Sequence, residues 1–183
     1  DHSMFLNVKS IRQIRGRKEK AIVWTHNAHI TRTPAEKGCN SMGTYLAMKY
    51  GKSYYALGFD FGQGDFSSLN QAKGKPVAVS LDWKSRKPNP YWSALAHQNH
   101  PVIFMDLRRA KQTPKVRKFL DRYSQVRSIG VTIPERHSQV HLDGTIFTEK
   151  DQKEHLDRSP VHENYDGMIW FNRTTPSRVI PLE

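Results

Sequence analysis

The stretch AIVWTHNAHI, residues 21–30, decides how this chain is read. Ala21 to Thr25 form a short run of β-branched and aromatic apolar residues. That is the pattern of a strand covered on both faces, as strands are in a mainly parallel sheet. His26, Asn27 and His29 follow it directly. In open α/β sheets ligands bind beyond the carboxyl ends of the strands, so the spacing sets two imidazoles and a carboxamide where chemistry would sit. A buried strand would hold His26 rigidly, and the following loop can turn His29 toward the same space. Such a pair suits proton transfer or metal binding. Asn27 adds a donor and an acceptor between them.

Working outward, Met4, Phe5, Val8 and Ile11 recur at helical spacing, which predicts an amphipathic helix over 3–14 ending near Gly16. Downstream, Ser41 is placed to cap a helix whose Met42, Tyr45, Leu46 and Tyr50 share one face, with Gly51 as its stop. Tyr54 to Phe59 reads as the next strand, and the Gly62-Gln63-Gly64 turn signal predicts a hairpin or a bulged extension over 61–66. Val77 to Trp83 is a further strand. A basic, proline-containing loop at 85–90 leads to a short helix at 91–97. Val102 to Leu107 is a second buried strand, Pro114 to Tyr123 a helix with proline in its first turn, and 128–133 a short strand. Polar sequence from His137 to Asn164 predicts an irregular region with a helical turn around 149–156, and Gly167 to Phe171 closes the chain as an apolar strand. This alternation predicts an α/β fold, a three-layer α/β/α domain with a mainly parallel sheet, in one domain over 1–183.

The 183 residues carry 29 Lys plus Arg against 17 Asp plus Glu, a formal charge of +12 that attracts anions. The basic clusters at 12–20, 84–87 and 108–118 alternate with apolar segments and do not gather base and aromatic residues into one module, so they read as solvated faces and nucleic acid is not expected. A non-catalytic module that binds an anionic polymer through this basic surface is the alternative to an enzyme. Four Trp, seven Tyr and eight Phe are enough to build a core. One cysteine, Cys39, excludes an internal disulfide and fits a reducing, cytoplasmic setting. No run approaches the roughly 20 apolar residues of a membrane span.

The His-x-x-His spacing recurs at His97 and His100, but there it sits at a helix end before Pro101 and reads as surface. His137 and His141 belong to a weakly patterned loop. A zinc site needs three or four ligands, so His26 and His29 could hold a metal only with a third ligand that the sequence does not identify; no cofactor is expected. G-x-S-x-G, the P-loop and G-x-G-x-x-G are all absent. Asp106 ends the strand Val102 to Met105, with Arg108 two residues later. Both are candidates to line the substrate crevice with Asn27, against the plainer roles of cap and surface ion pair.

The order of segments carries a resemblance. DHSMFLNV precedes AIVWTHNAHI; SMGTYLAMKYG, YYALGFDFGQGDF, VIFMDLR, RSIG and YDGMIWFNRTTPSR follow it. This series resembles the erythromycin esterase family, which includes macrolide-inactivating hydrolases and relatives named as succinoglycan biosynthesis proteins, and the resemblance covers nearly the whole chain. It implies an α/β/α fold of which 1–183 form the C-terminal part. It also implies hydrolysis of a small-molecule ester or lactone by activated water, without a covalent serine intermediate. His26 and His29 match the family's paired histidines; one imidazole accepts a proton from water or positions it, and the other holds the carbonyl. The family's N-terminal part, with a glutamate and a further histidine, lies outside these residues. The resemblance therefore implies an incomplete site, and the missing N-terminal half or a second copy as protein partner.

Overall fold

A computed structural model describes residues 1–16, 18–34, 39–70, 75–82, 90–124, 132–133 and 159–176. In chain order these form α1 (His2–Arg15), α2 (Asn27–Ile30), α3 (Met42–Tyr50), a 3-10 turn (Gly51–Ser53), β1 (Leu57–Asn70), β2 (Lys75–Asp82), α4 (Pro90–Ala96), β3 (Val102–Asp106), α5 (Leu107–Ala110), α6 (Pro114–Tyr123), β4 (Thr132–Ile133), α7 (Val161–Asn164) and β5 (Gly167–Thr174). The strands build one five-stranded sheet in the order β2-β1-β5-β3, with β4 also pairing β1. The fold is mixed α/β.

The sheet mixes parallel and antiparallel pairs. β1 runs antiparallel to β2, from Gln63 opposite Asp82 to Asn70 opposite Lys75, and parallel to β4 through Leu69 and Asn70. Only four residues join β1 to β2, and so short a connection permits only the antiparallel partner.

Local chemistry explains most helix ends. Ser41 Oγ accepts the Thr44 N–H at 3.0 Å and starts α3, while Gly51 stops it at φ 53°, where glycine has no Cβ to clash. Gly16 ends α1. The Gly-Gln-Gly signal makes the extension and not the hairpin. β1 runs through it, with Gly64 at φ 116° and the Thr174 backbone lying where a Cβ would stand.

The chain divides into two compact units. One comprises 1–59, 104–122 and 159–169, and its core holds Met42, Leu46, Ala56, Leu107, Leu120, Val161, Tyr165 and Met168. The other comprises 60–103, 123–158 and 170–183, and buries Tyr91, Trp92, Leu95 and Trp170. Buried Tyr91 has its phenol pushed to higher pKa by desolvation and by the nearby Asp60 carboxylate.

Two strand expectations change. Ala21 to Thr25 take no regular structure, and Ile22 and Trp24 are 94% and 85% exposed. Strand-type side chains make a strand only where another backbone pairs with it, and among the described residues nothing does. Val102 to Asp106 do form a strand, but at the sheet edge, so Val102 and Phe104 are exposed. Most of the loop at 85–90 and the turn at 149–156 lie outside the described residues, as do His137, His141 and most of 128–133; Pro90 already belongs to α4.

Candidate functional site

The residues HNAH form the start of a single helical turn. His26 is the N-cap of α2 with extended backbone, and its Nδ1 accepts the Ala28 N–H at 3.2 Å. A nitrogen that accepts from an amide carries no hydrogen, so the neutral His26 ring holds its proton on Nε2. His29 is set the opposite way. Its Nδ1 lies 2.7 Å from Asp1 Oδ1, and a carboxylate only accepts, so Nδ1 is the protonated nitrogen and Nε2 carries the lone pair. The two rings are edge-on with centroids 6.4 Å apart. Opposite partners at Nδ1 thus give the two Nε2 atoms opposite roles, donor on His26 and acceptor on His29; His26 is exposed and His29 partly so.

Asp1 precedes α1 at its N-cap position but does not cap it. Its Oδ1 also accepts the Met42 N–H at 3.2 Å, which fixes the carboxylate against the first residue of α3.

The turn is anchored on three sides. Asn27 Nδ2 donates to the Phe59 carbonyl at 2.6 Å and its Oδ1 accepts the Phe59 N–H at 3.1 Å, so both ends of the carboxamide are engaged by β1. Tyr54 donates its hydroxyl to the Ile30 carbonyl at 2.7 Å, and burial pushes that phenol to higher pKa, opposed by the charge on Arg32. Gly43 lets α3 approach the Ile30 backbone, which occupies the place a Cβ would need. Behind these contacts Ser41 donates to the Thr31 carbonyl at 2.9 Å, and Thr33 bonds Asn164 through its hydroxyl.

Asp106 and Arg108 are held by other partners. Asp106 caps α5, accepting the Arg109 N–H at 3.1 Å. Arg108 Nε donates to Asp166 Oδ1 at 2.7 Å, and its Nη2 donates to the Tyr54 carbonyl at 2.6 Å. Arg32 Nη1 donates to Asp166 Oδ2 at 2.8 Å, and the same oxygen accepts the Ala56 N–H at 2.9 Å. Burial alone would raise the Asp166 pKa. The Arg108 hydrogen bond, the Ala56 amide and the two guanidinium charges outweigh it, and the carboxyl is held below its usual range. Arg108 is shifted upward, led by its bond to Asp166. The geometry thus brings His26, His29 and Asp1 together, turns Asn27 onto Phe59, and joins Arg108 to Arg32 through Asp166.

Sequence reasoning missed Asp1, Arg32 and Asp166. Asp166 carried a faint signal, an acidic residue at the mouth of the buried strand Gly167 to Trp170; Asp1 carried none, because its partner lies 28 residues away. Among the described residues, no three or more His, Cys, Asp or Glu side chains gather as a metal site would require. No described helix is long and apolar enough to cross a membrane.

The family model described as erythromycin esterase matches residues 1–174. A solved protein from Bacillus cereus is similar in fold at 23% identity with a TM-score of 0.74, covering 99% of this chain and 39% of that one. A solved succinoglycan biosynthesis protein is similar at 16% identity with a TM-score of 0.61, covering 85% of this chain and 33% of that one. The chain therefore spans less than two fifths of either structure's length. No curated protein matches.

Proposed function

The chain belongs to the erythromycin esterase family, and from that premise we propose that it is a hydrolase-type domain acting on a small-molecule ester or macrolide lactone through water handled by His26 and His29. The observation that carries this reading is that the two Nδ1 atoms have opposite partners, the Ala28 N–H for His26 and the Asp1 carboxylate for His29. Water donates a proton to His29 Nε2 as its oxygen adds to the carbonyl carbon. Asp1 stabilises the imidazolium that forms and keeps Nδ1 protonated. The oxyanion accepts a hydrogen bond from His26 Nε2–H. Collapse of the tetrahedral intermediate breaks the bond to the alkoxide, which leaves with the proton from His29, so one ester and one water give one acid and one alcohol.

The route uses no cofactor. The glutamate and further histidine that the family resemblance implies lie outside these residues, so the site in this chain is incomplete and turnover by it alone is weak. In the same reading the fold is the C-terminal portion of a three-layer α/β/α domain. The test is incubation with erythromycin and a panel of small esters, the chain alone and mixed with a separately made N-terminal half of a family member, following mass for addition of one water. Product is expected chiefly in the mixture and absent with His26→Ala or His29→Ala. Undiminished product in both variants would overturn the proposal.

A further inference from the structure

His162 is a buried imidazole that the chemistry proposed above does not use. It belongs to the single turn of α7, is 4% exposed, and sets its Nε2 3.1 Å from Asp121 Oδ1 of α6. A carboxylate only accepts, so Nε2 carries the proton of the neutral ring and Nδ1 carries the lone pair. Nδ1 is buried as well, and among the described residues it has no hydrogen-bond partner. The next proton that the ring takes therefore goes onto a nitrogen with nothing to donate to, and a buried donor left unmatched costs about 1–3 kcal/mol. Asp121 supports the resulting imidazolium from one side only, and its half-exposed carboxylate also has Arg117 at 4.0 Å. Of the other charges about the ring, Glu163 on α7 favours the cation while Lys111 and Arg117 oppose it; burial opposes it most.

The turn that carries His162 also holds the chain just beyond the histidine turn. The Asn164 carbonyl accepts the Arg32 N–H at 3.0 Å, and the Asn164 side-chain oxygen accepts the Thr33 hydroxyl. A four-residue helix is not stable by itself, so α7 stays in place through the burial of Val161 and His162 and through the bond to Asp121.

We propose that His162 is an acid-sensitive latch: neutral, it clips α7 to α6; protonated, it leaves its pocket, and Arg32 and Thr33 lose the Asn164 anchor just downstream of His26 and His29. The reading of those two histidines as the active site enters only in saying what the loosening affects; the latch itself requires no hydrolysis. A released ring has the ordinary imidazole pKa of about 6.5, and the docked ring a lower one. Release therefore becomes easier as pH falls below about 6.5 and levels off once the docked ring is protonated too. Between about pH 7.5 and 5.5 the release constant rises by at most about tenfold.

The test is amide exchange of this chain against pH, read as protection factors so that the intrinsic effect of pH is removed, alongside an NMR titration of the His162 ring. The Arg32 amide reports directly, because its acceptor is the Asn164 carbonyl. Its protection, and that of the Asn164 and Tyr165 amides, should fall several-fold, to a limit of about tenfold, between about pH 7.5 and 5.5, while the amides of α1 and α4 keep theirs. His162→Gln, which can still donate to Asp121, should remove the dependence. Asp121→Asn keeps an acceptor oxygen and changes a half-exposed side chain, so the fold should survive it. Without the carboxylate the docked ring resists its proton further, and protection should go on falling below the pH at which the parent levels off. If His162→Gln does not fold, Asp121→Asn decides alone. No readout involves turnover, so failure of the esterase reading leaves these expectations unchanged. The proposal is overturned if the Arg32 amide keeps its protection down to about pH 5, if α1 and α4 lose protection in step with it, which is global unfolding, or if either folded variant follows the parent's profile.

Discussion

Replacing Asp166 by Asn keeps the shape of the side chain and removes its charge from between two arginines. In the parent, Oδ1 receives the Arg108 Nε–H, while Oδ2 receives both an Arg32 Nη1–H and the Ala56 N–H. Asparagine retains one acceptor, which serves Ala56 and Arg32; its NH2 then faces the Arg108 donor. One charge-assisted bond becomes a donor-donor opposition and another becomes neutral. Hydrogen bonds to charged groups contribute about 1.5–3 kcal/mol and neutral ones about 0.5–1.5 kcal/mol. Removing one partner from a fully buried ion pair costs about 3–5 kcal/mol. The carboxylate is buried, but the Arg32 and Arg108 side chains are 24% and 34% exposed and can recover hydration. The loss should therefore be about 2–4 kcal/mol. Urea unfolding at neutral pH measures it directly. Because the folded carboxyl has the lower pKa, its contribution is complete above the unfolded value of about 3.9 and is lost as pH falls through the folded one. The gap between parent and variant should hold through mild acid and close below about pH 4. A variant within about 0.5 kcal/mol of the parent at neutral pH, or a gap that persists unchanged in strong acid, would refute the reasoning.

Three further outcomes are expected. Asp1→Asn keeps one acceptor oxygen but removes the negative charge that supports the His29 imidazolium, so turnover of the completed site should fall about 10- to 100-fold in kcat with little change in KM; Asp1→Glu should restore part of it, and an unchanged kcat in Asp1→Asn would remove Asp1 from the site. Gly43→Ala should destabilise the chain by about 1–3 kcal/mol through overlap with the Ile30 backbone, despite a gain of up to about 1 kcal/mol in helix propensity; a net stabilisation in urea unfolding would show that α3 is free to shift. Buried His162, whose Nε2 lies 3.1 Å from Asp121 Oδ1, has its pKa lowered by desolvation against the pull of Asp121. The unfolded ring therefore binds its proton first, and stability should decline as pH falls below about 6.5; His162→Gln should flatten that decline, and an identical pH profile would show that another group causes it.

What was legible in the sequence was the chemistry of neighbours. Ser41, Gly51 and Gly16 bound helices because a cap or a positive φ acts within a few residues, and the apolar runs of β2, β3 and β5 marked where strands would lie. The candidate site was legible only as far as His26 and His29, which sit three residues apart. What set their protonation was not, because Asp1 is 28 residues from His29, and Asn27 is fixed by Phe59 at a separation of 32. The reading of Ala21 to Thr25 went astray for a related reason: side chains encode a preference for a paired, covered backbone, while the pairing itself comes from another segment.

The arrangement also separates support from chemistry. The backbone of α2 is pinned at Asn27 by β1 and at Ile30 by Tyr54, while Arg32 carries the connection onward to Asp166 and so to Arg108. None of these bonds uses the Nε2 atom of His29. Groups that react must be held by groups that do not, since a base that also supports the fold could not change protonation without loosening its own site. Asp166 answers that requirement at a distance: its two arginines bond the carbonyls of Gly51, Lys52 and Tyr54, tying the end of α3, the entry to β1 and the entry to β5 into one cluster. Asp166→Asn should therefore loosen the histidine turn without touching it, and faster amide exchange at residues 27–32 in that variant, with the Asp1 to His29 pair intact by sequence, is the sign of that coupling.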